Sequence, residues 1–276
     1  MKILSIVVTY YPEEELLKKN IAAFIDDVEK VLIWENTPSQ EKEKYRFIHH
    51  SKVEYCGDGI NSISHGLNYG WKYAKEHEYD YLLTMDQDSL FVNFKFLKRF
   101  AEHHHEKWII IGPALNIKID EEVLFKEDAA TNVETLITSG TFVPIAVLDV
   151  LNGYDERLVV DGIDTDLSYR AKSNGIQLLR IEGCSLMQRF GEPVIKSLFG
   201  KEYEISSYPP RRLRSILKTH IYLIRKHKNM TPNVRKYIIK HYIVDKTKEI
   251  ILFEDKKLKK LYSLFYGIIE GLFLRL

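Results

Sequence analysis

Short apolar runs alternate with helical patterns through the first hundred residues. Residues 3–9, 31–34, 53–55 and 81–85 are dense in Val, Ile, Leu and aromatic side chains and read as buried strands. A helix opens near Pro12, where proline in the first turn and Glu13, Glu14 and Glu15 beside the positive helix end are start signals. A polar helix is expected around 40–49 and another over 62–76. Alternation of this kind predicts a parallel sheet with helices on both faces, an arrangement that often binds nucleotides.

The rhythm changes after residue 107. Strands are predicted at shorter spacing over 108–111, 115–119, 123–126 and 136–138, with Asp120-Glu121 as a turn. A short helix over 165–174 ends at Gly175, and a strand follows over 176–181. After Pro209-Pro210 the chain reads as helical and basic. The pattern therefore divides into a nucleotide-binding half (1–107), a mixed half that would carry the acceptor side of a site (108–208), and a helical region (209–276).

Composition narrows the class. A 45% hydrophobic and 29% charged chain of 276 residues can build an ample core. Its net charge of +1 supplies no global field for nucleic acid. Cys56 and Cys184 form no metal-ligand spacing and fit a reducing cytoplasm. The apolar opening is shorter than a signal-peptide core, and no apolar run reaches bilayer-spanning length.

The strongest chemical signal is the strand 81–85 running into Asp86-Gln87-Asp88-Ser89. Two carboxylates spaced i, i+2 at a strand's carboxyl end repel each other, and burying both is costly unless a cation intervenes. Mg²⁺ or Mn²⁺, bridging to a phosphate, suits them. Asp-x-Asp alone is expected about once by chance in such a chain, so its position at a strand end matters more than the match. A second cluster, Asp161, Asp164 and Asp166, opens the helix carrying Arg170; helix capping and general-base duty both fit it. His103-His104-His105 reads as an exposed helix end, because consecutive helical side chains diverge by about 100°. Arg211, Arg212, Arg214 and Lys218 read either as a grip for a diphosphate-linked acceptor or as a solvated face.

Taken in order, these elements resemble the family 2 inverting glycosyltransferases of the GT-A fold, in particular a bacterial rhamnosyltransferase-like branch. The matching residues are Val7-Val8-Thr9-Tyr10 with Pro12, Asp86-Gln87-Asp88-Ser89, Gly112-Pro113, Thr138-Ser139-Gly140, Gly153-Tyr154-Asp155-Glu156, and Asp161-x-x-Asp164-x-Asp166 with Arg170. The resemblance runs through about residue 190. It implies that Thr9 and Tyr10 line a nucleotide pocket, that Glu35 stands where aspartate usually reads base or ribose, and that Asp86 approaches ribose and diphosphate. It implies Asp88 as metal ligand with Asp86 beside it, Ser139 and Gly140 at the sugar, and Asp164 as general base, with Asp161 and Asp166 around the acceptor. Departures from the family pattern include Ile163 for glutamate before the base and Gln188 where histidine is common. Asn61 lies in the neighbourhood of a displaced Asn-Gly element, and Leu213 and Arg214 replace paired tyrosines.

The implied reaction is metal-dependent inverting transfer of a hexose, rhamnose among the candidates, from a nucleotide-diphosphate sugar. The acceptor would be a saccharide or lipid-linked saccharide of a bacterial surface polysaccharide. Two rivals stay open. A nucleotidyltransferase would need a Gly- and Lys-rich phosphate loop near the first strand, which 9–15 lacks. A sugar-nucleotide binding module without turnover is encouraged by Ile163, Gln188 and Glu35. Finally, Lys256, Lys257, Lys259 and Lys260 precede apolar residues at helical spacing through 261–276, and this stripe suits the protein's own core, a second subunit or the inner face of the cell membrane.

Overall fold

The computed structural model describes residues 1–105, 108–115, 129–188, 194–198 and 200–276. Contacts divide the chain into two compact units, Met1–Arg189 and Phe190–Leu276.

The first unit is built on a mixed sheet in the order β3-β2-β1-β4-β8-β6-β9-β5, with β7 also on β9. Its parallel half comprises β1 (Ile3–Thr9), β2 (Lys30–Glu35), β3 (Val53–Cys56) and β4 (Tyr81–Asp86). β1 is buried along its whole length, as a strand covered on both faces must be. Helix α1 (Glu14–Ala22) starts just after Pro12 with Glu14 and Glu15 in its first turn. Helix α2 (Ile63–Glu76) is capped by Ser62, whose hydroxyl accepts from the His65 amide at 3.3 Å. α2 lies close on the sheet because it is glycine-faced: a Cβ on Gly66 would stand 2.5 Å from the ring of buried Trp34.

The other half mixes directions. β5 (Leu90–Val92) and helix α3 (Phe94–His103) lead to β6 (Ile109–Leu115), which runs parallel to β9 (Gln177–Met187). β7 (Ala130–Asn132) and β5 pair antiparallel with β9, and β8 (Thr141–Pro144) pairs antiparallel with β4. Helices α4 (Ile145–Leu151) and α5 (Ile163–Ser173) follow.

Several expectations need correction. The polar segment at 40–49 makes only a one-turn 3₁₀ helix, Lys42–Tyr45, because it has no apolar stripe to bury. Residues 136–138 are not a strand: Leu136 plugs the space over Gly112, and the Gly140 amide turns back to the Thr84 carbonyl at 2.7 Å. The strand expected over 176–181 continues to Met187, bulging opposite Pro113 and Ala114. The pattern also passes over β5, α4 and β8, short elements whose apolar residues follow no clear period. The strand expected at 123–126, the Asp120-Glu121 turn and most of 115–119 lie outside the described residues.

The second unit holds a hairpin, β10 (Val194–Leu198) with β11 (Lys201–Ile205), then helices α6 (Pro210–Lys226), α7 (Pro232–Ile238), α8 (Lys246–Phe253) and α9 (Lys257–Phe273). α6 and α9 pack through Gly267 and Gly271, where a Cβ would come within 2.6 Å of the Arg214 carbonyl oxygen and the Ile221 side chain respectively. Lys260 is buried in a pair with Glu254, so it faces the protein and not solvent. Among the described residues, no helix is long and apolar enough to cross a membrane.

Gly66→Ala should destabilise the first unit by about 1–3 kcal/mol, because the buried Trp34 ring has to yield. Urea unfolding followed by Trp fluorescence measures it; an unchanged midpoint would show that α2 can lift freely.

Candidate active site

The parallel strands bring their carboxyl ends to one level. Val8 pairs with Trp34 and with Asp86, and Thr9 pairs with Glu35. Residues separated by dozens of positions thus share one sheet edge, where open α/β sheets hold ligands.

The Asp86–Ser89 turn is held from three sides. Asn20, buried on α1, donates its side-chain amide to the Asp86 carbonyl at 2.7 Å and also to that of Ser89. Ser139 accepts from the Asp86 amide at 3.0 Å and donates to the Ser89 hydroxyl at 2.8 Å. Gln87 exchanges two hydrogen bonds with the Tyr10 backbone, at 2.7 and 3.1 Å, tying the turn to the end of β1. The Tyr10 ring is half exposed, while Thr9 is buried with its hydroxyl on the Trp34 carbonyl at 3.2 Å. Gly140 sits at φ 77°, and a Cβ there would press on Pro113 at 2.9 Å, so glycine is required by both backbone and space.

The electrostatics concentrate at Asp86. Burial pushes its carboxyl up to about 6; the charge of Asp88 adds to this, the hydrogen bond from Gln188 opposes it, and Asp164 contributes a further upward push. Gln188 donates to Asp86 Oδ2 at 2.8 Å across 102 sequence positions. Asp88 is exposed at the rim. Among the described residues, no group of three or more His, Cys, Asp or Glu side chains could cage an ion unaided. Two carboxylates close enough for their charges to interact, one of them exposed, nevertheless fit Mg²⁺ or Mn²⁺, which commonly takes one or two carboxylates and draws its other oxygens from substrate phosphate and water.

Asp164 lies in the first turn of α5, following Gly162 at φ 73°. Burial raises its carboxyl above the ordinary range, and hydrogen bonds from the Thr165 amide (2.7 Å) and hydroxyl (3.3 Å) hold it back. Its near neighbour Asp166 does a different job. Fully buried, it pairs with Arg170 at 2.7 Å, and Arg170 also donates to the Leu151 and Gly153 carbonyls. That pair anchors the loop entering the helix. Asp161 is part-buried in that same loop.

Glu35 is buried with both oxygens on the Arg46 guanidinium, at 3.1 and 2.8 Å. Arg211 and Arg212 begin α6 in the second unit, and Arg214 nearby is engaged by Glu270. His104 stacks on Phe100 with ring centroids 4.2 Å apart, an ordinary helix-end contact.

Sequence reasoning missed the supports. Asn20 stands among Leu17 and Ile21 on the buried face of α1, and a polar residue at an apolar-stripe position was the available signal. Asn68 is similar: it exchanges hydrogen bonds with the Tyr154 backbone at 2.7 and 2.9 Å and donates to Glu156. His65 bridges Asp58 (2.7 Å) and Glu156 (3.2 Å), fastening the residues before α5 to α2.

Comparison with known proteins agrees with this geometry. No family model matches the chain. The dTDP-rhamnosyl transferase RfbF of Shigella flexneri is 25% identical over 293 residues, which span 98% of this chain and 95% of that protein. Among solved structures, S. aureus TarS 1–349 in complex with UDP-GlcNAc superposes with TM-score 0.57 at 17% identity, over 98% of this chain and 82% of that one. GalNAc-T7 with UDP, GalNAc and Mn²⁺ superposes with TM-score 0.56 at 11% identity. It covers 90% of this chain, which spans only 57% of the GalNAc-T7 chain. The fold is GT-A.

The His65 bridge carries a pH signature. Its hydrogen bond to Asp58, then that to Glu156, raise its pKa above the ordinary 6.5. The protonated bridge therefore stabilises fully below about 6.5, and the contribution is lost as pH climbs through the raised value. Hydrogen exchange of residues 153–160 should accelerate beyond the intrinsic rate as pH rises above about 6.5, and His65→Gln should flatten that excess. An excess that persists in His65→Gln would assign the effect elsewhere.

Proposed function

We propose that this chain, a glycosyltransferase of the GT-A fold, moves a sugar from a nucleotide-diphosphate donor to a saccharide hydroxyl with inversion at the anomeric carbon. The observation that carries the reading is the convergence at the end of β4. Asp86, Asp88, Ser139 and Gln188 meet there from three separate segments, and the charge of Asp164 reaches Asp86.

Each residue then has a task. Thr9 and Tyr10 form the floor and wall of the nucleotide site, with the Tyr10 ring exposed for stacking on a base or ribose. Glu35, locked by Arg46, shapes the base end of that site. Asp88, assisted by Asp86, would hold a divalent ion that neutralises the departing diphosphate. Gln188, a poor metal ligand, offers an amide donor at the diphosphate and keeps Asp86 oriented. The Ser139-Gly140 turn admits the sugar against backbone. Asp164 takes the proton from the acceptor hydroxyl; a carboxyl raised by burial is a better base than a solvated one. Asp161 borders the acceptor, and Asp166 with Arg170 holds the base helix in place. Arg211 and Arg212 are assigned to the acceptor's phosphate or sugar. The similarity to RfbF makes dTDP-rhamnose the first donor to assay.

A panel of sugar nucleotides, scored for release of nucleoside diphosphate with and without Mn²⁺, tests the reading; binding of a donor with no turnover on any acceptor would favour a silent binding module. Asp164→Asn retains shape but cannot accept the proton, so transfer should fall by about 10²–10⁴-fold while donor affinity by calorimetry persists. Near wild-type transfer by that variant would move the base to another carboxylate. Asp88→Ala should remove Mn²⁺-dependent donor binding with the circular dichroism unchanged, and activity surviving exhaustive chelation would refute a metal role.

A further inference from the structure

We propose that the outward face of α9 is a docking surface for the anionic surface of a lipid bilayer. The helix has two apolar faces. One, with Leu264, Gly267 and Gly271, is spent on α6. On the opposite side Leu258, Tyr262, Phe265, Ile269 and Leu272 recur at spacings of four, three, four and three, which aligns them in one stripe. These are large side chains in water: Leu258 is 85% exposed, Tyr262 and Phe265 are each 59% exposed, and Phe273 at the helix end is 83% exposed. A contiguous apolar stripe of this kind on a charged unit marks an interaction surface.

Charge selects the occupant. Nineteen Lys and Arg against eight Asp and Glu give residues 190–276 a net charge of +11, while twenty-one against thirty-one leave residues 1–189 at −10. The near-neutral whole conceals two oppositely charged units. Lys257 and Lys259 are exposed and flank the stripe on either side. An anionic headgroup layer satisfies both features, since the lysines meet phosphate while the stripe enters the acyl boundary. A second copy meeting this stripe with its own satisfies only the apolar part, because it brings the same flanking lysines and a like-charged unit against its twin. The proposal stands independently of the transfer chemistry, although a lipid-linked acceptor would profit from it.

Co-sedimentation of the full chain with vesicles decides the matter. Binding to vesicles of phosphatidylcholine with about 30% phosphatidylglycerol should exceed binding to phosphatidylcholine alone by at least about tenfold, and should weaken with salt. Leu258→Glu with Phe265→Glu changes only solvated side chains and should abolish the excess with the fold and donor turnover intact. Lys257→Glu with Lys259→Glu, a second exposed pair, should reduce it severalfold. No preference for anionic vesicles by the folded protein, or undiminished binding by the first variant, overturns the proposal. So does a dimer in sedimentation velocity that the first variant dissolves while vesicles are ignored, because the stripe would then belong to a second copy.

Discussion

Two carboxylates forced together at the end of a buried strand set the terms for the first unit. Asp86 cannot leave, because its backbone completes β4 beside Val8, and its side chain is drawn out of water by the packed edge. Asp88, two residues on, adds a like charge. The free energy of that crowding has to be met by fixed donors or by a ligand with positive charge. The turn is accordingly pinned by Asn20, by Ser139 and, through Gln87, by the Tyr10 backbone, each from a different part of the chain, so the two carboxylates stay fixed at the strand end. Preorganisation of this sort costs folding stability locally and spares reorganisation when the ligand arrives.

The same logic explains how α5 is entered. A carboxylate in a helix's first turn is favoured by the dipole, yet Asp164 and Asp166 meet different environments two residues apart. Asp166 turns inward to Arg170, whose guanidinium also collects two carbonyls of the Leu151–Gly153 segment. Asp164 is left to Thr165, and its charge is felt at Asp86. Because the α5 entry is further held by Asn68, Glu156 and His65, the relation between Asp164 and the Asp86–Asp88 pair depends on α2 packing tightly against Trp34. A glycine on the sheet-facing side of α2 and a carboxylate in the first turn of α5 are links of one mechanical chain.

The second unit follows another principle. Its core is small, with Leu213, Ile216, Leu217, Ile250 and Leu264 at its centre, and glycines let α9 approach α6 closely. Close approach by small residues leaves the helix's larger side chains facing outward. Its net charge is opposite to that of the first unit, a division that the nearly neutral whole conceals.

The parallel half of the sheet, helix α2 and the Asp86–Ser89 element could be read directly from the residues, because period and strand-end carboxylates are local signals. The placement of Asp164 in a helix's first turn was legible for the same reason. What no local pattern contained was the meeting of distant parts: Gln188 on Asp86 across 102 positions, Ser139 on the Asp86 amide, and Glu35 consumed by Arg46. Nor could the sequence tell which lysines near α9 face water, since Lys260 differs from Lys259 only by a turn of 100° and a buried Glu254. Spacing along the chain thus determined which side chains stand at a strand end or on a helix face. Which of them share a charge, a donor or a face with solvent was decided only by the folded packing, because those energies depend on distance and burial in space.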